Sequence, residues 1–160
     1  MKKIFLLIAI AFSVATNAQV TKVSLQASGL TCSMCSNSIN KALKTLDFVD
    51  KVDPDIKTYT FEITFKENSR VDFDLIKRKV EGAGFTVSGF VATILFDNVR
   101  VIDGQPITIE DRTFYFVNTN DQSLNGVKQV KVLDKGFVSP KEYKSKPFPA
   151  STPGTYHATL

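Results

Sequence analysis

The sequence has 160 residues, of which 43% are hydrophobic and 22% are charged, with a formal net charge of +4. This length and apolar content are ordinary for a globular chain of one or two small domains, so a core can form. Loss of Lys2 and Lys3 with a signal peptide would lower the charge to +2, which argues against nucleic acid or an anionic membrane as the partner.

The first residues have the pattern of a secretory signal peptide. Lys2 and Lys3 precede an uncharged apolar run over residues 4–12, and small residues follow up to Ala18. We predict a signal peptide over residues 1–18, cleaved near Ala18, and a periplasmic or secreted mature protein. No later stretch is long and apolar enough to span a bilayer, so we expect no stable membrane insertion after cleavage.

Residues 20–89 predict a domain of the order βαββαβ. Alternating and helically spaced apolar residues predict strands over residues 21–27, 48–52, 59–65 and 85–87, with a helix over residues 35–46. Asp72 is suited to cap a second helix, which Gly82 or Gly84 can terminate. This order is the ferredoxin-like arrangement, in which two helices pack on one face of an antiparallel sheet. The predicted fold class is therefore α+β.

Residues 90–160 lack the helical period and predict short strands. The predicted strands cover residues 91–96, 100–102, 107–109, 113–117, 127–133 and 155–160. Four of the six prolines fall between residues 140 and 153, which predicts an irregular loop before the last strand. We therefore expect a small all-β module of unknown function, near the lower size limit for an independent core.

The two cysteines, Cys32 and Cys35, form a Cys-x-x-Cys pair between the first strand and the first helix. A disulfide across two intervening residues closes a tiny loop and restricts the unfolded chain little, whereas the same spacing suits a metal site or a redox pair. The free N–H groups and the positive end of the helix dipole favour thiolates at this position.

Soft sulfur ligands select soft ions. Two thiolates with no histidine or carboxylate close by in sequence suit Cu(I), or the comparable ions Ag(I) and Hg(II), better than Zn(II), which usually takes four ligands. The single histidine, His157, and the intervening Met34 are not expected to be ligands, because a lone histidine is usually surface polarity and a side chain at the Met34 position usually faces solvent.

Residues 29–35, Gly-Leu-Thr-Cys-Ser-Met-Cys, resemble the Gly-Met-Thr-Cys-x-x-Cys loop of heavy-metal-associated domains. The resemblance covers residues 21–89 and includes the Gly84-Phe85 pair, where the family commonly has glycine followed by an aromatic residue. It implies that Cys32 and Cys35 are the metal ligands, that Leu30 anchors the loop in the core, and that Phe85 packs beside the site. Leu30 replaces the usual methionine, and swaps between these residues of similar volume are generally tolerated.

The leading hypothesis is a non-enzymatic copper chaperone or scavenger that passes one Cu(I) to a donor or acceptor protein of the cell envelope by thiolate exchange. The resemblance includes periplasmic mercuric-ion-binding proteins, so Hg(II) is an alternative cargo. A thiol-disulfide oxidoreductase, with Cys32 as nucleophile and Cys35 as resolving thiol, is a second class. A third is an adaptor whose β module binds an exported partner.

Overall fold

The computed structural model describes residues 18–160, and residues 1–17 of the predicted signal peptide lie outside the described part. The elements in chain order are β1 (Ala18–Ser28), α1 (Ser33–Leu43), β2 (Val49–Asp55), β3 (Thr60–Phe65), α2 (Phe73–Gly82), β4 (Thr86–Val101), β5 (Pro106–Ile109), β6 (Arg112–Phe116), β7 (Gln122–Val132), α3 (Pro140–Ser145) and β8 (Thr155–Thr159). Among these elements, no helix is long and apolar enough to cross a membrane.

The first six elements have the predicted βαββαβ order, which confirms the α+β class. The side chains that alternate inward along β1 and β3, such as Leu25 and Ile63, are fully buried together with Ile39 of α1 and Val80 of α2. Asp72 caps α2 as predicted, because its carboxylate accepts a hydrogen bond of 2.8 Å from the backbone N–H of Leu75.

A single eight-stranded sheet joins the two halves of the chain, in the order β2-β3-β1-β4-β7-β8-β6-β5. Neighbouring strands are antiparallel except β6 and β8, which are parallel. β4 continues where the sequence predicts two or three shorter strands, so the predicted boundary between residues 89 and 90 falls inside this strand. The second region is rich in strands, as expected, and it extends the sheet of the first.

The halves also share one hydrophobic core. The ring of Phe73, at the start of α2, lies 4.8 Å from that of Phe90 in β4 and 5.3 Å from that of Tyr156 in β8, measured between centroids. Phe137, in the loop after β7, packs edge-on against both Phe90 and Tyr156. The second region therefore covers α2 and the far part of the sheet.

The irregular loop predicted before the last strand contains a short helix, α3. Ser139 caps it, with its hydroxyl accepting a hydrogen bond of 3.2 Å from the backbone N–H of Glu142, and Pro140 occupies the first helical position. The closing strand β8 lies where the sequence predicts it.

Candidate metal centre

The Cys-x-x-Cys loop joins the end of β1 to the start of α1. Gly29 makes the turn out of the strand with φ of +88°, and a Cβ at this position would lie 3.9 Å from the ring of Phe85. Leu30 is only 8% exposed and belongs to the core. The burial of Leu30 and the position of Phe85 beside the loop agree with what the family resemblance implies.

The two cysteines occupy different positions at the helix start. Cys32 is the N-cap residue of α1, has an extended backbone and is exposed. Cys35 lies in the first turn, where its N–H donates to the Cys32 carbonyl over 3.1 Å, and its side chain packs partly against the core. The helix therefore fixes the second sulfur more firmly than the first.

The two sulfur atoms lie 2.8 Å apart and are not joined by a disulfide. This contact has a chemical consequence, because the hydrogen bond between the thiols is the largest cause of a lowered pKa at Cys35. The backbone N–H of Thr31 lowers the same pKa further, while desolvation opposes both. The Cys35 sulfur is thus favoured as a thiolate, the form that binds metals and attacks disulfides.

The other sulfur and nitrogen candidates are placed elsewhere. Met34 is 78% exposed, so its thioether faces solvent, as the sequence predicts. His157 lies on β8, where its Nδ1 is 2.8 Å from a carboxylate oxygen of Asp134 and its ring stacks on that of Phe148. Within residues 18–160, no three His, Cys, Asp or Glu side chains are grouped so as to hold a metal ion.

Sequence reasoning missed the pairing of His157 with Asp134. Asp134 is 4% exposed and also accepts hydrogen bonds from the backbone N–H of His157 and from the hydroxyl of Ser151. These residues are far apart in sequence and belong to no local pattern, so the sequence gives no signal for the contact. They fasten the C-terminal segment to the loop after β7.

Fold and site together define an α+β protein with an exposed dithiol loop at the start of a helix. Residues 24–86 match the family model of the heavy-metal-associated domain. The mercuric transport protein periplasmic component of Pseudomonas fluorescens is 33% identical over 89 residues, which are 55% of this chain and 97% of that protein. This chain therefore belongs to the heavy-metal-associated domain family.

Two further relatives are matched over the first half of the chain. A probable copper-exporting P-type ATPase of Archaeoglobus fulgidus is 39% identical over 64 residues, which are 40% of this chain but only 8% of the ATPase. The solution structure of the yeast copper transporter domain Ccc2a is 34% identical and has a TM-score of 0.37, covering 42% of this chain and 90% of the domain.

Proposed function

We propose that this protein is an exported carrier of one soft metal ion, most consistent with Cu(I), held between Cys32 and Cys35. The observation that carries the proposal is the pair of unbridged sulfur atoms, 2.8 Å apart on an accessible loop. Two thiolates suffice for near-linear coordination of a soft ion, and the ion then leaves by stepwise exchange onto a partner's soft ligands.

The surroundings of the loop support a two-sulfur site. A closed zinc site needs four ligands, and no third or fourth ligand accompanies the cysteines among the described residues. His157, the single histidine of the chain, is paired with Asp134 in the second half. Cu(I), Ag(I) and Hg(II) therefore fit the donor set better than Zn(II) does.

Two kinds of relatives support different cargo ions. The match to copper-transporting ATPases supports Cu(I), whereas the match to nearly the full length of a periplasmic mercuric transport component supports Hg(II). The name of the latter relative, together with the apolar N-terminus, also supports export of this chain. We take Cu(I) as the leading proposal and Hg(II) as the alternative.

A thiol-disulfide oxidoreductase is the second candidate function. The favourable observations are the contact between the sulfurs and the lowered pKa of Cys35, since a stabilised thiolate also attacks disulfides. Reduction of insulin disulfides, with dithiothreitol to regenerate the dithiol, separates the two proposals. We expect no catalysis above that of dithiothreitol, and cysteine-dependent turnover would favour the enzyme.

An anaerobic competition titration tests the metal proposal. The reduced protein is titrated with Cu(I) against a chromophoric chelator, beside Cys32→Ser, Cys35→Ser and the control Ser33→Ala, which changes the same loop but keeps both sulfurs. We expect one tight equivalent for the wild type and the control and its loss in both cysteine variants. Binding that survives both variants would overturn the site, and a preference for Hg(II) in a parallel titration would favour the alternative cargo.

A further inference from the structure

The two helices beside the metal loop differ in how much of their outer surface the chain itself covers. The loop after β7 lies directly on α2, because a Cβ at Gly136 would be 3.1 Å from the Lys77 side chain and 3.7 Å from the Glu81 carboxylate. Lys77 also lies 4.6 Å from the Phe137 ring centre and 3.2 Å from an oxygen of Asp74. This side of α2 is therefore engaged within the molecule.

The outer side of α1 is exposed and begins at the metal loop. Its exposed residues form one stripe along the helix, at offsets of three, four, seven and ten from Met34: Met34, Asn37, Ser38, Lys41 and Lys44, which we call the α1 face. Met34, 78% exposed, is the large apolar side chain of this face and lies between the two cysteines.

The α1 face carries positive charge without compensation on the helix. No Asp or Glu occurs in α1, and neither Lys41 nor Lys44 forms an ion pair with another residue of the described part. The basic cluster expected on α2 from Lys77, Arg78 and Lys79 differs, because Lys77 is paired with Asp74. The uncompensated charge next to the metal loop is thus on α1.

We propose that the α1 face is the docking surface for the protein that exchanges metal with this chain, and that this partner presents acidic side chains around an apolar spot that receives Met34. The inference rests on the proposed function, since docking there brings the partner's ligands to Cys32 and Cys35. Opposite charges speed encounter and fix the orientation of the complex. A second copy of this chain would present the same lysines and be repelled.

Charge-swapped copies of the protein serve as the probe partner. Wild type loaded with ⁶⁵Cu(I) is mixed with an apo acceptor, and the two are separated and analysed by mass spectrometry to measure the rate of transfer. The acceptors are wild type, Lys41→Glu/Lys44→Glu, and a control, Lys144→Glu/Lys146→Glu, which makes the same charge change at exposed positions in and after α3.

We expect transfer to the Lys41→Glu/Lys44→Glu acceptor to be at least about 10-fold faster than to wild type at low salt, with the gain lost at high salt. Transfer to the control should stay within about twofold of wild type, because the control leaves the α1 face unchanged. An equal acceleration by both variants, or by neither, would overturn the docking surface. The Cu(I) affinity of each acceptor, measured by chelator competition, should match that of wild type.

The two proposals fail differently. If the wild type lacks cysteine-dependent Cu(I) binding in the competition titration, the proposed function falls and the docking surface falls with it. If binding is normal but transfer does not respond to charge on α1, the docking surface alone is wrong.

Discussion

At the scale of single residues, the two cysteines have unequal roles. Cys32 is exposed at the helix cap, whereas Cys35 is held in the first turn and has a lowered pKa. A lowered pKa means that the Cys35 thiolate persists to lower pH than that of an ordinary cysteine. We therefore expect Cys35 to be the first sulfur to engage the incoming ion, and Cys32 to be the sulfur that exchanges with a partner.

The asymmetry predicts the effect of removing Cys32. Cys32→Ala should raise the pKa of Cys35, because the hydrogen bond with the Cys32 thiol is the largest cause that lowers it. The pH dependence of iodoacetamide labelling at Cys35, followed by peptide mass spectrometry, measures this pKa. Its midpoint should move upward in the variant, while Ser33→Ala should label like wild type. A midpoint that stays or falls would contradict the assignment of cause.

Asp134 is the second residue with a specific expectation. Its buried carboxylate accepts from Ser151 and from the backbone N–H of His157, and it is paired with the His157 ring. Asp134→Ala should lower the free energy of unfolding by about 1–3 kcal/mol, since buried donors lose their acceptor. Urea denaturation measures the loss, and Asp97→Ala, at an exposed position, should change the stability little. Equal effects of the two changes would count against this account.

At the scale of elements, local signals determine the start of α2. Asp72→Ala removes the side-chain acceptor for the Leu75 N–H and should cost about 1 kcal/mol of stability. Asp72→Asn keeps an oxygen at the cap and should cost clearly less. Urea midpoints of the two variants compare them, and an Asn variant as unstable as the Ala variant would show that charge, rather than capping, matters at this position.

The elements that the sequence predicts well are those with local causes. The helices and β3 follow from apolar period and capping, and the cysteine pair follows from its spacing at a helix start. β4 was predicted in pieces because Gly89 interrupts its apolar pattern, although this glycine lies where the strand approaches Gln26, and a Cβ there would be 3.4 Å from the Gln26 Cβ. The prolines around α3 likewise hide a short capped helix.

The order of the later strands could not be predicted from local pattern. β4 and β5 follow each other in sequence across the Asp103-Gly104 turn, yet they lie at different places in the sheet, since β4 pairs with β7 and β5 with β6. Such pairings depend on contacts between distant segments. The distance between the sulfurs and the pairing of His157 with Asp134 are further facts that only the folded chain supplies.

At the scale of the whole molecule, the second region completes the first. The guanidinium of Arg112 on β6 lies over the Phe73 ring, 4.9 Å from its centre, and donates to the Val71 carbonyl just before α2. Burial lowers the pKa of Arg112 to about 10, which marks a charge held inside the interface between the regions. Removal of residues 90–160 would expose Phe73 and Phe90, so truncation at Gly89 does not isolate an intact metal domain.

The shared core predicts one unfolding transition. Phe137→Ala, in the loop that packs on Phe90 and Tyr156, should lower the free energy of unfolding by about 3–5 kcal/mol. The same urea midpoint should be found by near-ultraviolet circular dichroism, which reports the aromatic core, and by alkylation of the partly buried Cys35 in the first region. Distinct midpoints for the two probes would instead indicate two independently folding regions.

X-ray absorption at the copper edge of the anaerobically loaded protein tests the central claim most directly, because it counts the sulfur atoms bound to the ion. The account predicts two sulfur neighbours in wild type and in Ser33→Ala, and no such two-sulfur site in Cys35→Ser. A wild-type spectrum dominated by nitrogen or oxygen neighbours, or a sulfur count that does not depend on Cys32 and Cys35, would contradict a metal centre at this loop.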